Sequence, residues 1–427
     1  MPRRILVYTL LFLMTAISYL DRVNLSVAAG PIAKELSLSP VQLGWLFSGF
    51  LWTYIIFLPP LGWLADRYGY RGIGSAAVAV WSCATASTGF AGGLMGLAGS
   101  RFVLGMGEAA AWPVGVRALR AWAPRSEYGT GMAAISMGQS AGGAFGAFLV
   151  GWLIRDFGWR SSFMVTGVLG LIWAVAWLIL VRDPAVTGWL GDKERQHILA
   201  ARDQGLLDQE QASGLVTLLG CRALWGTMLG QGCMVYGFYM LLTWLPSYLQ
   251  RERGLAVFGS GAYTAIIYGA AVIGGLLIAR LTDRIFSVEA LRRGARKMAV
   301  IVSIVPALLM ATTPWVPSIG WLVAVLAVAV TFLANAISLN SALCNDLVVR
   351  PADSGKAIAL FTSGANVIGV MAPIVTGYLV SASNRFETAF MVTGAVLALG
   401  AVILLFGVRG KIGPAEAERP ASVIVPI

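Results

Sequence analysis

Charge is the first thing this chain has little of. Only 12% of its 427 residues are Asp, Glu, Lys or Arg, and 58% are hydrophobic. Soluble globular chains carry about 25% charge, so a water-soluble domain is excluded. Histidine is nearly absent: His197, the only one, lies in a charged connecting stretch. The four cysteines, Cys83, Cys221, Cys233 and Cys344, are scattered with no CxxC spacing, which argues against a disulfide framework or a thiolate metal site. A metal centre would have to be built almost wholly from carboxylates, and no cluster of them exists. No activated nucleophile lies beside a base, so neither an enzyme nor a cofactor is expected.

Acid is scarcer than base, and the net charge is +11. That excess invites a nucleic-acid reading, but cytoplasmic loops of membrane proteins collect Lys and Arg, and the distribution decides between the two.

What the chain does have is long apolar runs. A helix needs roughly 20 apolar residues to cross the hydrocarbon core. Runs of that kind begin near residues 5, 41, 73, 95, 129 and 161, and again near 224, 258, 298, 320, 356 and 387. The first follows "MPRR", like the basic start of a signal peptide. It is long, a second hydrophobic hairpin follows at once, and no small-residue cleavage pattern precedes Asp21, so it is expected to be a retained span. Between the sixth and seventh runs lies the polar stretch "GDKERQHILAARDQGLLDQEQAS", which suits a surface helix. The expectation is an all-α membrane protein of twelve transmembrane helices in two pseudo-symmetric six-helix bundles. Its segments are residues 1–181, a cytoplasmic linker 182–222, residues 223–410 and a cytoplasmic tail 411–427.

The loop charges orient it. With the N-terminus inside, Lys34, Arg155, Arg160, Arg251, Arg253 and Arg385 are the basic residues of the outer loops, and nearly all others fall inside. This segregation places both termini in the cytoplasm and removes the nucleic-acid reading.

Against that background, "YLDRVNLSVA" at Tyr19–Ala28 is unexpected, because Asp21 and Arg22 sit where a helix is still crossing the bilayer. Arg101 and Glu108, in "SRFVLGMGEAAAWP", are the other charges well inside a span. Intramembrane charge is costly and persists where it faces a cavity or another charge. Arg101 and Glu108 are two helical turns apart, about 10.5 Å along one face. Gly105 and Gly107 keep that helix slim enough for a neighbour, expected to be the first span. A carboxylate can take up and release a proton, whereas a guanidinium stays charged and suits a fixed anchor for an anion. A purely structural charge network is the competing explanation. Gly138, Gly142, Gly143 and Gly146 read as a small-residue packing face.

Two motifs carry a resemblance. "GWLADRYGYR" (Gly62–Arg71) resembles the signature loop of the major facilitator superfamily, and "ARLTDR" (Ala279–Arg284) echoes it in the second half. The resemblance implies the major facilitator fold, with Asp66, Arg67, Arg71, Asp283 and Arg284 in conformational gating. "YLDRVNLSVA", "SRFVLGMGEAAAWP" and "GMAAISMGQSAGGAFG" are similar to the anion:cation symporter family within it. That similarity implies a proton-coupled symporter of an organic anion, a sugar acid or another carboxylate, working by alternating access as a monomer in the cell inner membrane. By the same similarity Asp21 and Glu108 match the proton-coupling carboxylates, Arg22 the residue holding the substrate carboxylate, and Arg101 the partner of Asp21. Tyr19, Tyr54 and Gln139 match substrate-lining positions, although Tyr54 alone would read as packing.

The second half departs from that pattern. "NAISLNSALCND" has small polar residues where many members have a Trp, leaving Ser338 and Asn366 as expected substrate contacts and Tyr236 as one equally consistent with packing. A proton-driven exporter of the same superfamily is the alternative. The Gly-rich stretch lacks the Pro of the superfamily's antiporter signature, and a basic anchor suits an anion.

Overall fold

Where no water reaches the backbone, a spanning chain satisfies its N–H and C=O groups inside helices. The computed structural model describes residues 2–201, 213–285, 295–350 and 353–414, with the backbone only for 279–285. Among them the chain is helical apart from short connections and one isolated bridge, Val348–Ile412. Among the described residues eight helices are long and apolar enough to cross a membrane.

The helices are α1 (Ile5–Glu35), α2 (Pro40–Tyr68), α3 (Tyr70–Thr88), α4 (Leu94–Glu108), α5 (Ala111–Trp122), α6 (Tyr128–Leu180), α7 (Asp192–Ala201) and α8 (Leu215–Leu219). They continue as α9 (Arg222–Arg251), α10 (Val257–Ile285), α11 (Ala295–Ala307), α12 (Ile319–Leu347), α13 (Ser354–Ser383) and α14 (Glu387–Gly407). Each apolar run read from the sequence begins within a turn of a helix start, except the sixth. That run begins inside α6, just past Gly158, whose φ of +82° breaks the helical path. At 53 residues α6 would run about 80 Å if straight, well beyond the roughly 30 Å of hydrocarbon core.

Local chemistry sets the boundaries that matter for the site. The "SPVQ" start of α2 is a full capping box: Ser39 and Gln42 satisfy each other's backbone N–H, and Pro40 occupies the first helical position. Gly69, at φ +84°, ends α2 and lets α3 begin at once. Between α4 and α5, Ala109 and Ala110 form a turn. Pro113 cannot donate to the carbonyl of Ala109 and its ring crowds that group, so the run ends at Glu108 and restarts at Ala111.

The residues cluster into two compact units. Unit 1 comprises Met1–Leu206, Leu241–Gly269 and Pro373–Phe386; unit 2 comprises Leu207–Met240, Ala270–Ala372 and Glu387–Ile427. In unit 1, α1 lies along the first half of α6. A Cβ on Gly138 would fall 2.2 Å from the Phe12 carbonyl oxygen and one on Gly142 2.2 Å from that of Ala16, while Gly146 faces Leu20. The small-residue face is therefore a helix contact, although Gly143 has open space beside it. The neighbour at Gly105 and Gly107 differs from the expected first span. Gly105 abuts Phe50 and Thr53 of α2, and Gly107 abuts Ala77 and Trp81 of α3. Glycine spacing shows that some helix comes close, but not which one.

Unit 2 has its own core beneath the surface helix α8, where Leu218, Leu224, Met228, Phe361 and Ile412 pack together. Asp353, fully buried, accepts from the backbone N–H of Ser213 at 2.5 Å and its hydroxyl at 2.7 Å.

Candidate transport site

The four intramembrane charges all lie in unit 1. Glu108 is fully buried at the last residue of α4, where the negative end of the helix dipole disfavours an anion. It is compensated from α1. Arg22 donates through Nε and Nη2 to Oε2 at 2.9 Å each, and Ser18 donates to the same oxygen at 2.8 Å. Oε1 has no partner. The cation that local sequence does not supply to Glu108 comes from another helix.

Arg22 is also caged by aromatic rings. Its guanidinium carbon lies 4.8 Å from the Tyr19 ring, 4.8 Å from Phe50 and 5.2 Å from Tyr54. Such contacts are worth about 0.5–2 kcal/mol each, depending on desolvation. The cage draws on two helices: Tyr19 precedes Arg22 by one turn of α1, and Phe50 and Tyr54 are one turn apart on α2. Phe50 and Ser18 escaped the sequence reading because a Phe in an apolar run and a Ser one turn from a charge carry no distinguishing spacing.

Asp21 faces elsewhere. Only 1% exposed, it has no hydrogen bond to either carboxylate oxygen. Arg101, 4% exposed, forms no ion pair with it among the described residues. The Arg101 guanidinium sits 5.8 Å from the Phe163 ring, with Nε and Nη2 unpartnered. One residue-turn beyond Asp21, Asn24 ties α1 to α6, donating to Thr166 at 3.1 Å and accepting from Ser162 at 2.8 Å. Gln139, half-buried on α6, follows the Gly138 contact with α1.

In unit 2, Asn366 accepts from the Tyr239 hydroxyl at 3.1 Å and donates to the Thr362 carbonyl at 2.9 Å. Ser338 is exposed and Tyr236 is buried. Tyr239 was not anticipated; it lies three residues after Tyr236 in the same apolar run.

The signature-loop residues separate. Asp66 pairs with Arg117 of α5, Arg67 lies over the rings of Trp63 and Tyr68, and Arg71 donates twice to the Leu178 carbonyl, at 2.9 and 2.7 Å. The side chains of Asp283 and Arg284 lie outside the described residues.

Apolar helices long enough to cross a membrane hold a caged guanidinium against a buried carboxylate, and the family and relatives that the chain matches make it a membrane transporter. The chain belongs to the Major Facilitator Superfamily, whose profile matches residues 11–348 and 290–425. It is 31% identical to a D-galactonate transporter of Escherichia coli O6:H1, over 96% of this chain and 97% of that one. It is 32% identical to a probable sulfoacetate transporter of Cupriavidus necator, over 92% and 91%. A solved bacterial homologue of the human lysosomal transporter Spinster, inward-facing and occupied, shares the fold with a TM-score of 0.76 at 19% identity, covering 97% of this chain and all of that one.

Proposed function

We propose that this chain is a proton-coupled symporter that takes up an organic anion, most suitably a sugar acid, across the cell inner membrane. The single observation that carries the proposal is the Arg22–Glu108 ion pair inside its aromatic cage. Arg22 is the caged cation and the anchor for a substrate carboxylate. Glu108 is an internal carboxylate already in that place, so substrate and ionised Glu108 compete for one guanidinium. A proton on Glu108 removes the competitor, and the anion takes its position. When the proton leaves, Glu108 recaptures Arg22 and the anion is displaced. Uptake of proton and anion thereby favour each other, as linkage requires of two ligands with a favourable coupling energy.

Asp21 is the second proton site, and Arg101 sets its electrostatic surroundings. Tyr19, Tyr54 and Gln139 supply hydrogen-bonding groups to a polyhydroxylated anion in the first half, and Tyr236, Ser338 and Asn366 are the substrate-contact positions proposed in the second. Two halves of six spans each, residues 1–181 and 223–410, with both termini cytoplasmic, carry out alternating access, and Asp66, Arg67, Arg71, Asp283 and Arg284 bias its equilibrium. The relative that carries a sugar acid by name supports this substrate class, and the relative named for a short sulfonated carboxylate agrees with an anion anchor.

The test is uptake into proteoliposomes under an inward proton gradient, with sugar acids, short carboxylates and a neutral sugar compared. Accumulation of one acid, abolished by a protonophore, is expected. Glu108→Gln, which mimics the protonated state, is expected to retain exchange but lose gradient-driven accumulation by at least tenfold, and Asp21→Asn to do the same. If both variants still concentrate substrate as the wild type does, the coupling assignment fails. If basic or neutral compounds instead leave in exchange for protons, the chain is an exporter.

A further inference from the structure

Glu108 Oε2 accepts two hydrogen bonds from the Arg22 guanidinium, at 2.9 Å each, and one from the Ser18 hydroxyl at 2.8 Å. Arg22 moves between Glu108 and the anion, and Ser18 has no place of its own in that exchange. Ser18 and Arg22 are one turn apart on α1, so they share one helix face. Ser18 is 3% exposed, beside a carboxylate that is fully buried. A serine or threonine within a helix commonly bonds the carbonyl four residues back. Thr9 does so on α1 itself, at 3.0 Å to the Ile5 carbonyl, and Ser100 does so on α4, at 3.0 Å to that of Gly96. Ser18 turns instead from the Met14 carbonyl to the Glu108 carboxylate, and among the described residues that is its one bond.

We propose that Ser18 is a positioning residue that sets the pH at which Glu108 releases its proton, and so times the return of Arg22 from the anion to Glu108. A hydrogen bond to an ionised carboxylate is about twice as strong as one between neutral groups, so Ser18 favours the ionised form of Glu108 over the protonated one. The effect falls on the release step. Arg22 is then engaged with the anion, and Ser18 is the donor still beside Glu108 as its charge develops. While Glu108 is protonated, the hydroxyl can turn back to the Met14 carbonyl of its own helix, so it loses little. The charged and titratable groups near this pair are Arg22, Tyr19 and Asp21 of α1, Arg101 two turns before Glu108 on α4, and Tyr54 of α2. The α3 residues that abut Gly107, Ala77 and Trp81, carry no charge. Among these groups Arg22 is the one that bonds Glu108, and it leaves with the anion. This inference rests on the anion-symport reading.

The experiment measures the half-saturating concentration for exchange in proteoliposomes across about pH 5 to 9. The probe is whichever of D-galactonate, D-glucarate and D-glucuronate the wild type carries fastest. Wild-type affinity falls as pH rises through a midpoint set by the coupling carboxylates. Ser18→Ala removes the donor, and the midpoint is expected to move up by about one pH unit, a tenfold change in proton affinity. Ser18→Cys keeps the volume with a weak S–H donor and is expected to move it the same way by less, so the test does not hang on one variant. Added to Glu108→Gln, Ser18→Ala is expected to move nothing further, because the titrating partner is gone. An unmoved midpoint in Ser18→Ala overturns the proposal. So does a loss of affinity of the same size at every pH, which would mean that Ser18 only packs. A shift that persists in Glu108→Gln also overturns it and assigns the effect to Asp21. If the wild type carries none of the three acids, or exchanges them without pH dependence, the symport reading fails and this inference with it. That outcome is separate from a pH-dependent wild type whose midpoint Ser18→Ala leaves in place.

Discussion

Two arginine–carboxylate contacts in this chain have opposite character, and the difference comes from their surroundings. Arg22–Glu108 is caged, with the Glu108 side chain fully buried and that of Arg22 12% exposed, so removing Arg22 leaves an uncompensated buried carboxylate, a loss of up to about 3–5 kcal/mol. Arg4 stands at the start of α1, outside the spans. Its guanidinium donates to Glu127 at 2.6 and 2.8 Å and to Glu194 at 3.0 Å, while the Arg3 and Arg4 backbone N–H groups reach Glu194 at 3.0 and 3.1 Å. Burial acts to raise the Glu194 pKa, but those backbone N–H groups and the Arg4 side chain outweigh it and hold it below the ordinary 4.5. A depressed carboxylate stabilises the folded state above its unfolded pKa, and that contribution is lost as pH falls through the folded value. Glu194→Gln should therefore lower the melting temperature at pH 7 and make little difference well below pH 4.5. A melting-temperature gap that stays constant across that range would show that the Glu194 charge does not hold this strap.

Among the helices, α6 carries three different kinds of glycine, and substitution separates them. At Gly142 a Cβ would lie 2.2 Å from a carbonyl oxygen of α1; at Gly158 there is open space but φ is +82°; at Gly143 there is open space in a helix. Gly158→Ala should cost about 1–2 kcal/mol through left-handed backbone strain alone. Gly143→Ala should be neutral or stabilising by up to about 1 kcal/mol. Gly142→Ala should be the worst of the three, because two backbones must separate. Thermal unfolding of the purified variants gives the order, and a Gly158→Ala variant as stable as Gly143→Ala would remove the strain argument.

The same helices show what sequence made legible. Apolar run lengths located the helices, and the two-turn spacing placed Arg101 and Glu108 on one helix, because both signals are local. The partner of Glu108, the helices beside Gly105 and Gly107, and the roles of Phe50 and Tyr239 depend on which helices meet. An apolar run conceals that, since its aromatic residues look alike whether they pack, cage a cation or await a ligand.

The chain as a whole must move to transport, and one contact inside unit 1 offers a handle on that motion. Segment Leu241–Gly269 packs against residues 1–206, and the start of α10 meets α6 where Gly151 lies opposite Phe258 and Gly261. A Cβ on Gly151 would be 3.4 Å from the Phe258 Cα, an ordinary contact, and the Phe258 ring lies 5.6 Å from that of Phe148. Residues that close can be bridged, because a disulfide needs Cα atoms about 4.4–6.8 Å apart. If residues 1–181 and 223–410 alternate access as proposed above, α6 and α10 fall in different sets and must separate there once per cycle. In a background with Cys83, Cys221, Cys233 and Cys344 replaced by serine, the pair Gly151→Cys and Phe258→Cys should cross-link on mild oxidation and stop uptake at least tenfold. Reduction should restore it. The single-cysteine variants should transport with or without oxidant, which separates the cross-link from damage done by either substitution. Full cross-linking with uptake unchanged would mean that these helices stay together throughout the cycle, and that access to Arg22 opens by a motion elsewhere.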